Sequence, residues 1–254
     1  QIRSIDERMQ YLRNVGKRQE EIRSAIESQG KLTDGLAMAI ETAQKLQELE
    51  DLYLPFRPKK RTRAQIAREK GLEPLAERML AQGDPTAADR LAIAAGFINA
   101  ETGVADAEAA LSGARDIVAE TIAERADLRT LLRREIWKTA ALSTTLAVPE
   151  NEAPEFLNYK EYREAVNRMP SHRILAVNRG ETKKALKVHF EIPQESLTEL
   201  VFRAVFVSPS LWQPDISEAV QDSCKRLLFP AMEREVRSLL TENAEKQAIH
   251  LFGR

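Results

Sequence analysis

Apolar residues open the chain at helical spacing. Ile2, Ile5, Met9 and Leu12, then Ile22 and Ile26, step by threes and fours and predict one amphipathic helix with a single apolar stripe. Gly30 predicts its stop, and Thr33 or Asp34 can cap a second helix carrying Leu36, Ile40, Ala43 and Leu46. Two highly charged helices with a short connection are expected to pack as an antiparallel hairpin. Pro55 and Pro58 then block continuation. Thr62-Arg63-Ala64-Gln65 reads as a capping box, Gly71 as a stop, and Pro74 and Asp84-Pro85 as two further helix starts. Leu111, Ala114, Val118 and Ile122 predict a long helix, and Leu128, Leu132, Ile136 and Ala140 another, capped by Asp127.

In the second half, Pro149–Pro154 is the expected boundary, dividing a helical region 1–148 from a region 155–254. A helix from about Tyr159 should end near Pro170, and Ser171 should cap a short helix that Gly180 stops. Leu186, Val188, Phe190 and Ile192 alternate with Lys187, His189 and Glu191, the clearest period-two strand in the chain. Ser196-Leu197-Thr198-Glu199 is a second capping box, and helices run from Pro214 to Leu228 and from Pro230 onward. The expected fold is mainly α: a multi-helix scaffold with a minor β element near 186–192.

Composition narrows the class. The 254 residues are 43% hydrophobic and 30% charged, which is globular rather than disordered. Aromatics are only 6%, while Ala, Leu, Glu and Arg abound, a helix-forming palette. The single cysteine, Cys224, excludes an internal disulfide and fits a reducing compartment. The longest uncharged runs, Thr139–Pro149 and Ala204–Pro214, are far shorter than a membrane span. A start at Gln1 and an end inside a helical pattern read as a piece of a longer protein.

The net charge of −1 hides segregation. Residues 57–70 hold seven Lys/Arg against one acid, and residues 168–190 six against one. Residues 20–56 hold three against eight, and 101–127 two against seven. Clustered cations neutralise phosphates, the sequence-independent part of nucleic-acid binding. The candidate contacts are Arg57, Lys59, Lys60, Arg61, Arg63 and Arg68 in the first cluster, and Arg173, Arg179, Lys183 and Lys184 in the second. The competing reading is that these cations pair with the acidic helices. Only Phe56 and Phe190 flank the clusters, so phosphate contact without base stacking is the most they suggest.

No enzyme constellation is legible. His172, His189 and His250 have no His or Cys partner at metal-ligand spacing and read as structural, as does Cys224. Trp137 and Trp212 read as core anchors. Gly-rich phosphate loops, nucleophile elbows and HExxH are absent. Neither a cofactor nor a metal is expected.

Four blocks carry a family resemblance. The run from Asp51 to Ala76, through Leu54-Pro55-Phe56-Arg57-Pro58-Lys59-Lys60-Arg61-Thr62-Arg63, closely resembles the signature of Tex, the bacterial transcription accessory proteins. Gly113-Ala114-Arg115-Asp116-Ile117 resembles a second block. Ser171-His172-Arg173, Leu175-Ala176 and Arg179-Gly180 resemble a third. Lys225-Arg226-Leu227-Leu228, Pro230, Glu233-Arg234-Glu235 and Ala244-Glu245 resemble a fourth. Lys184-Ala185 stands where the family has an acid and a glycine, and Ala231 where it has serine. The resemblance implies a helical part of a cytoplasmic, multidomain, nucleic-acid-binding protein. The family's YqgF-like RNase H-type, helix-hairpin-helix and S1 domains, the last its main RNA-binding element, are not visible here. Expected partners are RNA or DNA, mainly through those other domains, and RNA polymerase or other transcription machinery; no membrane partner is expected. The alternative is a scaffold that docks transcription machinery without binding nucleic acid. A nuclease is the least supported reading.

Overall fold

The computed structural model describes residues 2–58 and 61–252, with side chains for 5–58 and 61–249. Lys59 and Lys60, and the side chains of Ile2, His250 and Leu251, lie outside the described residues. In chain order the first helices are α1 (Ile2–Glu27), α2 (Asp34–Thr42), α3 (Leu46–Tyr53), α4 (Arg63–Glu69), α5 (Glu73–Ala81), α6 (Arg90–Ala95), α7 (Ala107–Ala123) and α8 (Ala126–Thr139). Then come β1 (Ala141–Leu146), β2 (Glu161–Ala165), α9 (Ser171–Thr182), β3 (Leu186–Glu191), α10 (Gln194–Val205), α11 (Gln213–Asp222) and α12 (Phe229–Phe252). The fold is mainly α, as the hydrophobic pattern predicts, and the minor β element expected near 186–192 is one strand of a small antiparallel sheet. Among the described residues no helix is long and apolar enough to cross a membrane.

The chain forms two compact units, Gln1–Thr130 with Val205–Ser223, and Leu131–Ala204 with Cys224–Arg254. The segment 149–154 lies inside the second unit, where Glu150–Glu152 and Pro154–Tyr159 form 3-10 turns.

In the first unit, Val15, Ile22 and Ile26 of α1 bury against Ile40 of α2 and Leu49 of α3. Gly30 takes φ +66, a left-handed stop, and Thr33 Oγ1 accepts the Leu36 N–H at 3.3 Å as the cap of α2. Gln19 Nε2 reaches the Ile40, Glu41 and Ala43 carbonyls at 3.0, 3.0 and 3.1 Å, meeting acceptors that the end of α2 leaves open. The single stripe expected on α1 divides in two: Ile5, Met9 and Leu12 are exposed, and only the second half of the helix is covered.

The remainder of this unit surrounds α7, against which α4, α5, α6 and α11 pack. Thr62 caps α4, accepting the Gln65 N–H at 3.0 Å, and Gly71 ends the turn after it at φ +80. Asp84-Pro85 does not open a helix. Pro85 heads a turn, and Asp89 caps α6 by accepting the Leu91 N–H at 2.9 Å. Asp84 instead accepts two bonds from Arg78, at 2.8 and 2.7 Å, and one from Trp212 Nε1 at 2.7 Å. Those donors, Arg78 foremost, hold its carboxyl at about 2. Trp212 is fully buried, as a core anchor should be; Trp137 is half-buried.

Gly113 explains itself by distance. A Cβ there would stand 2.4 Å from Leu72 Cδ1 and 3.5 Å from Ala67 Cβ, and Leu72 is itself buried. Gly113→Ala should lower stability by about 1 kcal/mol, since overpacking costs ~1–3 and the helix-propensity gain returns ~1. Gly16→Ala in α1, where nothing beyond the helix's own backbone would lie within 4 Å of the new Cβ, should raise it by ~0.5–1 kcal/mol. Urea midpoints of the two variants check this; a Gly113→Ala chain as stable as Gly16→Ala would contradict the close packing.

In the second unit the strand order is β2-β1-β3, antiparallel throughout. Leu142 pairs with Glu164 and Phe190, and Thr144 with Tyr162 and Val188. The strand expected at 186–192 is β3, with Leu186 buried, Val188 and Phe190 half-buried, and Lys187, His189 and Glu191 exposed. The helix expected from Tyr159 is instead β2 followed by a 3-10 turn, Val166–Arg168. Glu161-Tyr162-Arg163-Glu164-Ala165 has a helical composition, and pairing with β1 overrides it.

The helix α9 packs on α12 and β3. Gly180 does not stop it. Helix α9 runs to Thr182 and closes in a Schellman turn, where Lys184 takes φ +58 and the Ala185 N–H reaches the Gly180 carbonyl at 2.9 Å. Gly180 is there for contact, because a Cβ would lie 2.5 Å from Leu186 Cδ1 and 3.1 Å from Phe156 Cδ1. Ser171 is the first residue of α9 and bonds Gln247, so it does not cap. Likewise α10 starts at Gln194, ahead of the expected box at Ser196, whose hydroxyl donates to the Pro193 carbonyl at 3.1 Å. Between α11 and α12 the backbone stays helical through a π turn, Ser223–Leu228. Pro230 has no N–H to give and its ring crowds the preceding turn, which the wider π winding relieves.

Candidate nucleic-acid interface

The described cations of the first cluster belong to the first unit; its four arginines each have a carboxylate partner, while Lys70 donates to the Gly103 carbonyl at 3.1 Å. Arg57 pairs with Glu50 of α3 and lies over the Tyr53 ring at 5.6 Å. Arg61 reaches Glu69 at 3.0 Å and Arg63 reaches Asp116 at 3.8 Å. Arg68 contacts Glu120 of α7 at 2.7 Å and Glu73 of α5 at 3.2 Å. Lys59 and Lys60 lie outside the described residues. Arg57, Arg61 and Arg68 line an open groove of about 1360 Å³ together with Glu69, Glu124 and Asp127. Its walls therefore carry both signs, unlike a phosphate channel.

The second cluster belongs to the second unit and divides. Arg173 reaches Glu164 at 3.1 Å and lies over the Tyr162 ring at 5.4 Å. Burial first, and then the bond to Glu164, pushes the Tyr162 phenol up to about 12. Lys183 reaches Glu155 at 3.0 Å. Arg179 is exposed on α9 rather than in a turn, and Lys184 is exposed just after it; among the described residues neither has an ion-pair partner. The same holds for Arg168 and Lys187, which the charge count of the segment includes but which sequence reasoning did not single out. The segment's lone acid, Glu181, is taken by Arg237 of α12.

Further ion pairs were not legible beforehand because they join residues distant in sequence. Asp215, fully buried on α11, accepts from Arg90 at 3.0 Å and Arg115 at 3.2 Å. Arg115 also reaches Glu108 at 2.7 Å and Glu218 at 2.9 Å. Asp51 and Arg129, both buried, meet at 2.9 Å. In the second unit Arg133 reaches Glu235 at 2.8 Å. Elsewhere His172 and His189 are exposed. Burial pushes the Cys224 thiol up to about 11, which leaves it protonated and unreactive. Among the described residues no group of three or more His, Cys, Asp or Glu could hold a metal ion.

Fold and charge arrangement together define a helical scaffold whose cations are mostly bound into its own structure. The sequence matches the family described as Tex central region-like over residues 84–252, and the chain belongs to that family. It is 39% identical over 264 residues to the transcriptional accessory protein Tex of Neisseria gonorrhoeae, covering all of this chain and 34% of that protein. It is also 39% identical over 267 residues to protein tex of Bordetella pertussis, covering 99% of this chain and 33% of that protein. At 29% identity over 269 residues it resembles human S1 RNA-binding domain-containing protein 1, covering 100% of this chain and 26% of that one. The chain thus spans about a third of the length of the bacterial relatives it matches.

Proposed function

We propose that the chain is a helical scaffold portion of a cytoplasmic transcription accessory protein, that it holds nucleic-acid-binding modules in place, and that it adds weak, sequence-nonspecific phosphate contacts of its own without catalysis. One observation carries the scaffold reading. The blocks that carry the family resemblance coincide with the contacts that fasten the helices: Asp51 with Arg129, Arg68 with Glu120, Gly113 against Leu72, Arg115 with Asp215, Gly180 against Leu186, and Glu235 with Arg133. Residues with these roles set geometry rather than contact a ligand.

Titration of the chain with single-stranded RNA and with duplex DNA at 20 mM and 150 mM salt tests this. Weak binding at low salt that fades at the higher salt, with little dependence on base sequence, is expected. Tight or sequence-selective binding, or cleavage of either substrate, would overturn it. A second reading is a scaffold that docks protein partners only. The exposed face of α1, formed by Ile5, Met9 and Leu12, favours it, because an unpartnered apolar helix face is a usual protein-binding surface. Absence of binding at 20 mM salt would favour that reading.

A further inference from the structure

Residues 168–190 keep several exposed cations that no carboxylate neutralises among the described residues. In residues 168–190, Arg173 is paired with Glu164 and Lys183 with Glu155, and Glu181 is paired with Arg237. Arg168, Arg179, Lys184 and Lys187 are left exposed and without an ion-pair partner among the described residues. Glu155 is one acid that Arg179 feels: its own backbone N–H and Lys183 hold its carboxyl low, and Arg179 adds only a minor effect from beyond pairing distance. Resting on the phosphate-contact reading above, we infer that these four cations, and not the paired Arg57, Arg61, Arg63 and Arg68, form the surface that meets the phosphodiester backbone of a nucleic acid.

The placement suits a backbone-tracking surface. Arg168 ends the 3-10 turn ahead of α9. Between it and Lys184 runs the 12-residue α9, a rise of ~18 Å, on which Arg179 stands exposed. Lys187 follows on β3, in register with Thr145 of β1 and facing away from the buried Leu186. Backbone bonds of the Schellman turn fix the root of Lys184, from Lys184 N–H to Glu181 O at 2.9 Å and from Ala185 N–H to Gly180 O at 2.9 Å. A lysine in this left-handed position, where glycine sits without penalty, is a local cost that an exposed cation can justify by function. The four arginines of 57–70 are different. To meet a phosphate, Arg57, Arg61, Arg63 or Arg68 must first leave a carboxylate.

The test is the salt dependence of binding by the whole chain. Four neutralised phosphates give a log–log slope of about −2.8 on single-stranded RNA and about −3.6 on duplex DNA. Between 50 and 200 mM salt that is a loss of roughly 50-fold and 150-fold respectively. Arg168→Gln, Arg179→Gln, Lys184→Gln and Lys187→Gln combined should reduce either loss to below about 3-fold, with an unchanged circular dichroism melt because no ion pair is broken. Arg61→Gln with Arg63→Gln should leave the slope in place, since each is already paired with a carboxylate. If the parent chain binds and the quadruple variant keeps its slope, or the Arg61/Arg63 variant loses it, this assignment is overturned while the phosphate-contact reading stands. If the parent chain itself binds neither nucleic acid at 20 mM salt, that reading fails and the assignment fails with it.

Discussion

Changing Arg129 to methionine is expected to destabilise the first unit by about 4 kcal/mol. Asp51 and Arg129 keep only 2% and 9% of their side-chain surface, and their bond measures 2.9 Å. Methionine removes the guanidinium and leaves a buried carboxylate without its cation, with the Gln47 amide at 3.3 Å still available to it. That orphaned charge, more than the lost attraction, sets the cost. The double variant Asp51→Leu with Arg129→Met should therefore recover most of the loss, because a desolvated pair is worth little more than apolar groups of like volume. Urea unfolding followed by Trp212 fluorescence, in a Trp137→Phe background, reads the first unit specifically. A single-variant loss below about 1 kcal/mol would mean that water reaches Asp51.

Asp215→Ala should cost about 3 kcal/mol in the same assay. Here one fully buried carboxylate serves two guanidinium groups, Arg90 on α6 and Arg115 on α7. Arg115 retains Glu108 and Glu218 after the change, which is why the expected loss falls at the lower end of the range for breaking a buried pair. Glu108→Ala supplies the contrast. That carboxylate is 56% exposed, so its removal should cost no more than ~0.5 kcal/mol although its bond to Arg115 is shorter. Equal effects from the two variants would show that bond length, rather than burial, governs this network.

The long helices were legible because each carries a run of apolar residues at one period: α7 follows Leu111, Ala114, Val118 and Ile122, and β3 follows strict alternation. Stops at Gly30 and Gly71 were legible because left-handed φ leaves few alternatives. The strands β1 and β2 were not legible. Ala141-Leu142-Ser143-Thr144-Thr145-Leu146 lacks clean alternation because Leu142 and Thr144 are buried, while Ala141 on the opposite face is buried as well. The strand β2 takes its conformation from a partner that local sequence does not contain. Gly180 read as a stop, since a glycine near a helix end serves equally for a turn or for close approach, and only Leu186 across the turn decides. Charge was the least legible feature. The count of cations in 57–70 was correct, but its meaning depended on Glu120, Asp116 and Glu50, which arrive from other helices.

The division of the chain into units has a consequence for synthesis. The first unit is not contiguous: Val205–Ser223 belongs to it, although residues 131–204 intervene. That late segment brings Trp212 and Asp215, the largest fully buried side chain and the acceptor for Arg90 and Arg115. A ribosome adding ~5–20 residues per second needs roughly 4–15 s to cross the interval. For that time the earlier helices stand without their Trp212 plug, and Arg90 without its carboxylate. The N-terminal portion of the nascent chain should be sensitive to protease until Ser223 has emerged, and its folding should be timed by the second unit's translation rather than by its own.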